Sequence, residues 1–243
     1  MKISVIVPCF NGGPYLKNCL ESVLSQDYED YEVIFVDNES TDGSVNVAKK
    51  VLKTADRDML ISSAPNLYRH AWCEPVGEGM RMMTGEYFTI IGADDFVSPS
   101  YLSNAVAAIE SFDDDVVCMQ SVLSRFYNEG TDMVGYSYDS VEEMKRQLLQ
   151  HCAVNTPTVF YRKDLYEDGH MTWNSETYLG AADYDLYCQF ADKNIMIHSF
   201  NTWLGYVYRL HQDQSTWGMV AESQQGGNFD SKIKSYWKGK WKS

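Results

Sequence analysis

Ile3-Ser4-Val5-Ile6-Val7-Pro8-Cys9-Phe10-Asn11-Gly12-Gly13-Pro14 is the stretch on which the fold turns. The apolar run Ile3 to Val7 reads as a short strand closed by Pro8, and Asn11 to Pro14 reads as a loop whose proline suits the first turn of a helix. Tyr15, Leu16, Cys19, Leu20, Val23 and Leu24 then recur at three- and four-residue spacing, so that helix has one apolar face. The unit repeats. A strand at Val33 to Val36 runs into the polar loop Asp37-Asn38-Glu39-Ser40-Thr41-Asp42-Gly43, where Ser40 and Asp42 are helix-cap candidates, and Val45, Ala48, Val51 and Leu52 line the next helix. Further strands are predicted at Met59 to Ser62, Tyr87 to Ile91 and Val116 to Gln120, with helices at about residues 77 to 84 and 99 to 110. Such alternation predicts an α/β domain with a mainly parallel, Rossmann-like sheet covered on both faces. Ligands bind such sheets at the carboxyl ends of the strands, so the loops after Val7, Val36 and Ile91 are where chemistry is expected.

The second half is less regular. Ser140-Val141-Glu142-Glu143 is a capping signal for a helix through Gln150, Ala182 to Ala191 reads as another helix, and strand-like runs occur at Thr158 to Tyr161, Ile195 to Ile197 and Trp203 to Tyr208. With no repeat or linker, residues 1–243 are expected to form one domain, with a regular first half over about 1–120, a second half over about 121–225, and a basic, aromatic tail over 226–243. The formal net charge of −14 argues against binding nucleic acid. Six scattered cysteines without a CxxC pair suggest reduced, buried thiols. No apolar run approaches the ~20 residues needed to span a bilayer, and the first residues lack the pattern of a secretory signal, so the expected location is the cytoplasm.

Five motifs, in order, resemble the family 2 glycosyltransferases of the GT-A fold. They are Ile3 to Asn11 with the helix ending Leu20-Glu21-Ser22-Val23-Leu24-Ser25-Gln26; Val33 to Gly43; Gly85-Glu86-Tyr87 followed by Gly92-Ala93-Asp94-Asp95; Ala182-Asp183-Tyr184-Asp185-Leu186; and Tyr208-Arg209-Leu210-His211. The resemblance covers most of residues 1 to 215 and implies an inverting transfer of sugar from a nucleotide-sugar donor, UDP-linked, to an acceptor hydroxyl. It places Pro8, Phe10 and Asn11 under the base, Asn66 and Asp94 on the nucleotide, and Asp37 as acceptor for a base imide N–H. Asp95 and His211 are implied as ligands of Mn²⁺ or Mg²⁺, and Asp183 as the base. The chemistry of these side chains agrees. Adjacent Asp94 and Asp95 repel unless a cation intervenes, and oxygen ligands suit those two metals. A carboxylate can take the acceptor proton as that oxygen attacks the anomeric carbon. The same acids would also serve as turn or helix caps, and a lone histidine after a strand is often structural.

Three departures from the family pattern stand out. Gly92 replaces an acidic residue, Ala182 replaces a Glu before the base, and Pro75-Val76-Gly77 falls where an Ala-Arg-Asn run with a nucleotide-holding Arg is common. Arg69 or His70 are candidate substitutes for that Arg. The departures keep open a second reading, a binding module that has lost catalysis. A sugar nucleotidyltransferase fits less well, since the loop after the first strand carries no Lys or Arg. The tail, with Lys232, Lys234, Lys238, Lys240 and Lys242 beside Tyr236, Trp237 and Trp241, either rests peripherally on an anionic inner membrane surface or packs its rings on the body. The donor sugar and the acceptor, whether glycan, lipid-linked or protein, are not specified by these motifs.

Overall fold

Nine strands share one sheet in a computed structural model that describes residues 1–67, 72–113, 115–127, 130–214 and 228–242. The first half alternates as expected: β1 Ile3–Cys9, α1 Leu16–Leu24, β2 Tyr31–Asp37, α2 Ser44–Leu52, β3 Met59–Ser63, α3 Cys73–Met82, β4 Tyr87–Ile90, β5 Phe96–Val97 and α4 Tyr101–Glu110. The second half adds β6 Cys118–Tyr127, β7 Gly130–Val134, α5 Val141–Leu148, β8 Phe160–Arg162, the short helices α6 Asp164–Glu167 and α7 Ser175–Tyr178, then α8 Ala182–Asp192, β9 His198–Arg209 and α9 Phe229–Lys240. The sheet order is β3-β2-β1-β4-β8-β6-β9-β5, with β7 paired to β6. β3, β2, β1 and β4 are parallel, as is the pair β6–β9; β8, β5 and β7 run antiparallel to their neighbours.

Strand alternation sorts the apolar side chains onto two faces. Ile3, Val5, Val7, Val33 and Phe35 pack under α1, α2 and α4, whereas Ile6, Ile34, Val36 and Phe88 pack under α3, α5 and α8. A sheet covered on both sides is the single mixed α/β domain expected of the GT-A fold. Several boundaries differ from the sequence expectation. α3 begins four residues early because Pro75 sits in its first turn, where no backbone N–H is needed. The run expected at Ile195 to Ile197 is not a strand, whereas the one expected at Trp203 to Tyr208 belongs to a longer strand that starts at His198, and the pairing of that strand with β6 is interrupted by register shifts. β5 and β7 were not anticipated.

The basic tail is a docked helix. Ile233 and Trp237 of α9 are buried, and the Trp237 indole N–H donates to Asp185 Oδ1 at 2.8 Å. Lys240 pairs with Asp192 at 2.7 Å, and the Trp241 indole N–H donates to the same carboxylate at 3.1 Å. No helix among the described residues is long and apolar enough to cross a membrane.

Asp185 holds the body end of this contact. It is 1% exposed and also accepts from Gln189 at 2.9 Å and from Asn174. Trp237→Phe keeps an aromatic ring but deletes the indole N–H and part of the buried volume, so it should destabilise the fold by about 1–3 kcal/mol, measured by urea unfolding. Tyr236→Phe, on the exposed side, should fall within about 0.5 kcal/mol of wild type.

Candidate active site

The carboxyl ends of β1, β2 and β4 open into a cleft of about 1490 Å³, lined by Pro8 to Tyr15, Asn38, Thr41, Asp42 and Gly92 to Asp95. Its other wall comes from the second half, including Thr156, Asp183, Tyr208 and His211, and from Asp230 at the start of α9.

On the nucleotide side the first two loops are laced together. Asn11 adopts a left-handed backbone (φ 51°), which asparagine tolerates. Its N–H donates to Ser40 Oγ at 2.9 Å and its Oδ1 accepts from the Thr41 N–H at 2.8 Å; Gly13 N–H donates to Asp42 Oδ2 at 2.9 Å. Phe10, adjacent to this lacing, is 52% exposed, a large ring turned to the cleft instead of the core. Asn66 also lines the cleft, and its N–H donates to Glu39 Oε2 at 3.2 Å. Asp37 stands behind the lining residue Asn38: one oxygen takes the Ser40 N–H at 3.1 Å, and the other is buried without a hydrogen-bond partner. Asp37 itself is 6% exposed and is not among the residues that line the cleft.

The turn between β4 and β5 carries both acids. Asp95 is 2% exposed, and its two oxygens are engaged: Oδ2 accepts from the Tyr206 hydroxyl at 2.6 Å and Oδ1 from the Arg209 N–H at 2.8 Å. Burial, and then the neighbouring Asp94 charge, push its pKa well above the usual carboxylate range. Asp94 instead faces the cleft, with Oδ2 3.0 Å from His211 Nε2, and the His211 ring rests on Tyr15 at 4.4 Å. Geometry therefore puts Asp94, rather than Asp95, opposite His211. Gly92 also has a physical reason. A Cβ there would lie 2.8 Å from Asp95 Oδ2 and 3.0 Å from Asp94 Oδ1, so the space of a side chain is filled by the two carboxyl groups.

Asp183 occupies the first turn of α8 and lines the far wall. Its Oδ2 accepts from the Thr156 hydroxyl and its Oδ1 from the Tyr184 N–H, both at 2.7 Å. Its pKa is raised, chiefly by burial, against the lowering effect of these two donors. Asp185, two residues on, points to α9 instead. Ala182 is fully buried, so a glutamate at that position would carry its stem into the core. Of the residues sequence reasoning passed over, Thr156, Tyr206 and Asp230 line the cleft; only their proximity in the fold reveals them. The missing nucleotide Arg has no replacement among the described lining residues except Arg125, which is clamped to Asp132 at 2.8 Å. Arg69 and His70 lie outside the described residues.

Among the described residues no three His, Cys, Asp or Glu side chains converge as a closed metal site. One carboxylate and one imidazole still fit a cation that takes its remaining ligands from diphosphate oxygens.

Residues 4–170 match the sequence model for glycosyl transferase family 2. The chain belongs to that family. It is 25% identical over 223 residues to an uncharacterized glycosyltransferase of Haemophilus influenzae, covering 88% of this chain and 67% of that protein. Crystal structures share the fold: the match to Staphylococcus aureus TarS residues 1–349 with UDP-GlcNAc, TM-score 0.72 at 20% identity, covers 89% of this chain and 61% of that 1–349 chain. Mycobacterium tuberculosis glucosyl-3-phosphoglycerate synthase with Mn²⁺, UDP-Glc and phosphoglyceric acid has TM-score 0.64 at 16% identity, covering 96% of this chain and 80% of that one.

Restoring bulk at Gly92 should harm the family 2 site, because the flanking Asp95 carboxyl is anchored and has little room to yield. Gly92→Ala should lose roughly 1–3 kcal/mol of stability by overpacking, read by thermal and urea unfolding. Wild-type stability in that variant would show that the acid pair can move aside.

Proposed function

We propose that the chain transfers a sugar, with inversion, from a UDP-linked donor to an acceptor hydroxyl. The observation that carries this reading is the pairing, across one cleft, of a desolvated carboxylate at Asp183 with the Asp94–His211 pair. Residues 1–120 supply the nucleotide cradle in this reading, and the second half supplies the acceptor wall and the base. Phe10 stacks against the base, Pro8, Asn11 and Asn66 border it, and the open Asp37 oxygen takes the imide N–H of uracil, rejecting a base that presents an acceptor there. Support comes from the uridine nucleotides held by both structural neighbours.

In the reaction the acceptor O–H bond breaks and its proton passes to Asp183. The acceptor oxygen bonds to the anomeric carbon as the bond from that carbon to the diphosphate oxygen breaks, its electrons leaving on the nucleotide. Attack from the side opposite the leaving group inverts the centre. Asp94 and His211 are the residues that would hold Mn²⁺ or Mg²⁺, with Asp95 bracing the turn beneath them. The ion supplies counter-charge to the departing diphosphate in a chain that is otherwise strongly acidic. Exposed Lys238 and Tyr236 on α9, with Lys242 just beyond it, are the part of the molecule suited to an anionic inner membrane surface at the cytoplasmic side.

Four outcomes test this. UDP with Mn²⁺ should raise the melting temperature more than GDP or ADP does, and Asp37→Ala should erase the difference. EDTA should abolish transfer, and Asp94→Ala should weaken Mn²⁺-dependent UDP binding; full activity in EDTA would reject metal dependence. Asp183→Asn should lower kcat by ~10²–10⁴-fold, roughly 3–5 kcal/mol of barrier, with UDP affinity unchanged. Because burial raises the Asp183 pKa, the acid limb of the wild-type kcat/KM profile should lie above the usual Asp value of about 4, with activity lost below it as the base protonates.

A further inference from the structure

The short 3-10 turn Thr156–Thr158 is held far more firmly than a loop of its length requires. Asn155 is buried, and it donates through its side chain to Ser121 O at 2.9 Å and Val134 O at 2.8 Å, while its N–H donates to Gln120 Oε1 at 2.9 Å. Thr158, fully buried, takes the Ser121 N–H at 3.0 Å and has its own N–H on Asn155 O at 2.8 Å. The pairing of β6 with β8 stops at Met119, and the register of β6 on β9 shifts after Ser121. That interruption leaves the Ser121 peptide groups to this turn. Pro157 removes one more backbone freedom. The residue so presented is Thr156, whose hydroxyl meets Asp183 Oδ2 at 2.7 Å in the wall of the cleft.

We propose that Thr156 is a positioning residue for the base: its hydroxyl fixes the Asp183 carboxylate in rotation and keeps it ionised in a desolvated site. The proposal rests on the reading of Asp183 as the base. Two donors set the plane of a carboxylate, and the Tyr184 N–H by itself would leave the group free to turn about the bond to Cβ. A donor to the charged form also opposes burial, which favours the neutral acid. The titratable groups facing Asp183 are Asp230 of α9, Cys152 before the turn, Cys73 of α3, Tyr161 of β8 and Tyr187 of α8. Burial raises the thiols and phenols further above neutrality, so Asp230 is the one that carries charge, and it opposes ionisation of Asp183. Thr156 and the Tyr184 N–H are what counter it.

The test compares Thr156→Val, which keeps the shape and deletes the hydroxyl, with Thr156→Ser, which keeps the hydroxyl. Carboxyl ¹³C NMR, with Asp183→Asn used to assign the resonance, should show the Asp183 pKa raised by about one unit in Thr156→Val and restored in Thr156→Ser. The acid limb of kcat/KM should move up with it, and kcat on the plateau should fall about tenfold or more as the base loses its orientation, while UDP stabilisation is unchanged. If the valine variant does not fold, Thr156→Ala gives the same comparison. A wild-type titration and pH profile without the hydroxyl, or a serine variant as impaired as the valine one, would overturn the proposal. Full turnover in Asp183→Asn would overturn the base assignment itself, whereas an inactive Asp183→Asn beside a normal Thr156→Val would overturn the role of Thr156 alone.

Discussion

Taking the Asp95 carboxyl group out of water is costly unless both oxygens find donors, and the donors it finds are the Tyr206 hydroxyl and the Arg209 N–H, both from β9. These contacts bind the turn after β4 to a strand more than a hundred residues away in sequence. Gly205 permits the approach. Its backbone lies at φ 129°, and a Cβ there would sit 2.1 Å from Ser98 Oγ, so any other residue would push β9 away from β5. The Arg209 side chain completes the joint: Nε donates to Asp94 O at 2.8 Å and Nη2 to Asn18 Oδ1 at 3.0 Å, with the guanidinium 4.9 Å from the rings of both Tyr15 and Phe96. Asp94 and His211 meet because each is attached to one side of this joint.

A second coupling runs through α8. Side chains two residues apart on a helix point about 200° away from each other, so Asp183 and Asp185 serve opposite surfaces. One enters the cleft and the other takes the Trp237 indole. The helix bearing Asp183 is thereby clamped from behind by α9, whose first turn returns Asp230 to the cleft. What composition describes as a basic tail is a brace for one wall of the cleft.

Much of the first half was legible because its signals are local. Apolar runs ending in Pro8 and Asp37, and helix faces with regular spacing, give the strands, the helices and the position of the loops without knowledge of distant contacts. The acid pair was legible as chemistry but not as geometry: sequence adjacency cannot tell which of Asp94 and Asp95 points inward, since that depends on Tyr206 and Arg209. Gly92 and Ala182 look like losses in sequence, whereas in the fold they are places where a longer side chain lacks room. Thr156 carried no signal at all. A threonine before a proline is ordinary, and its meaning arises only when the shift in β6 presents it to a helix 27 residues later. α9 was obscured by its lysines, which dominate the composition while Ile233 and Trp237, four apart, form a narrow apolar stripe.

Two carboxylates in one cleft are thus given different work by their surroundings. Asp94 lies where solvent and an imidazole reach it, its side chain 31% exposed, and a carboxylate so placed is available to a cation. Asp183 is partly buried in the cleft wall, beside a like charge at Asp230, and its affinity for a proton rises accordingly. Raising that affinity makes a stronger base only while the group stays ionised at working pH, so the desolvation that sharpens it must be limited. The limit is set by the donors, a threonine hydroxyl on a braced turn and a backbone N–H of α8. Placing Asp94 on a turn and Asp183 on a helix allows each environment to be set without disturbing the other.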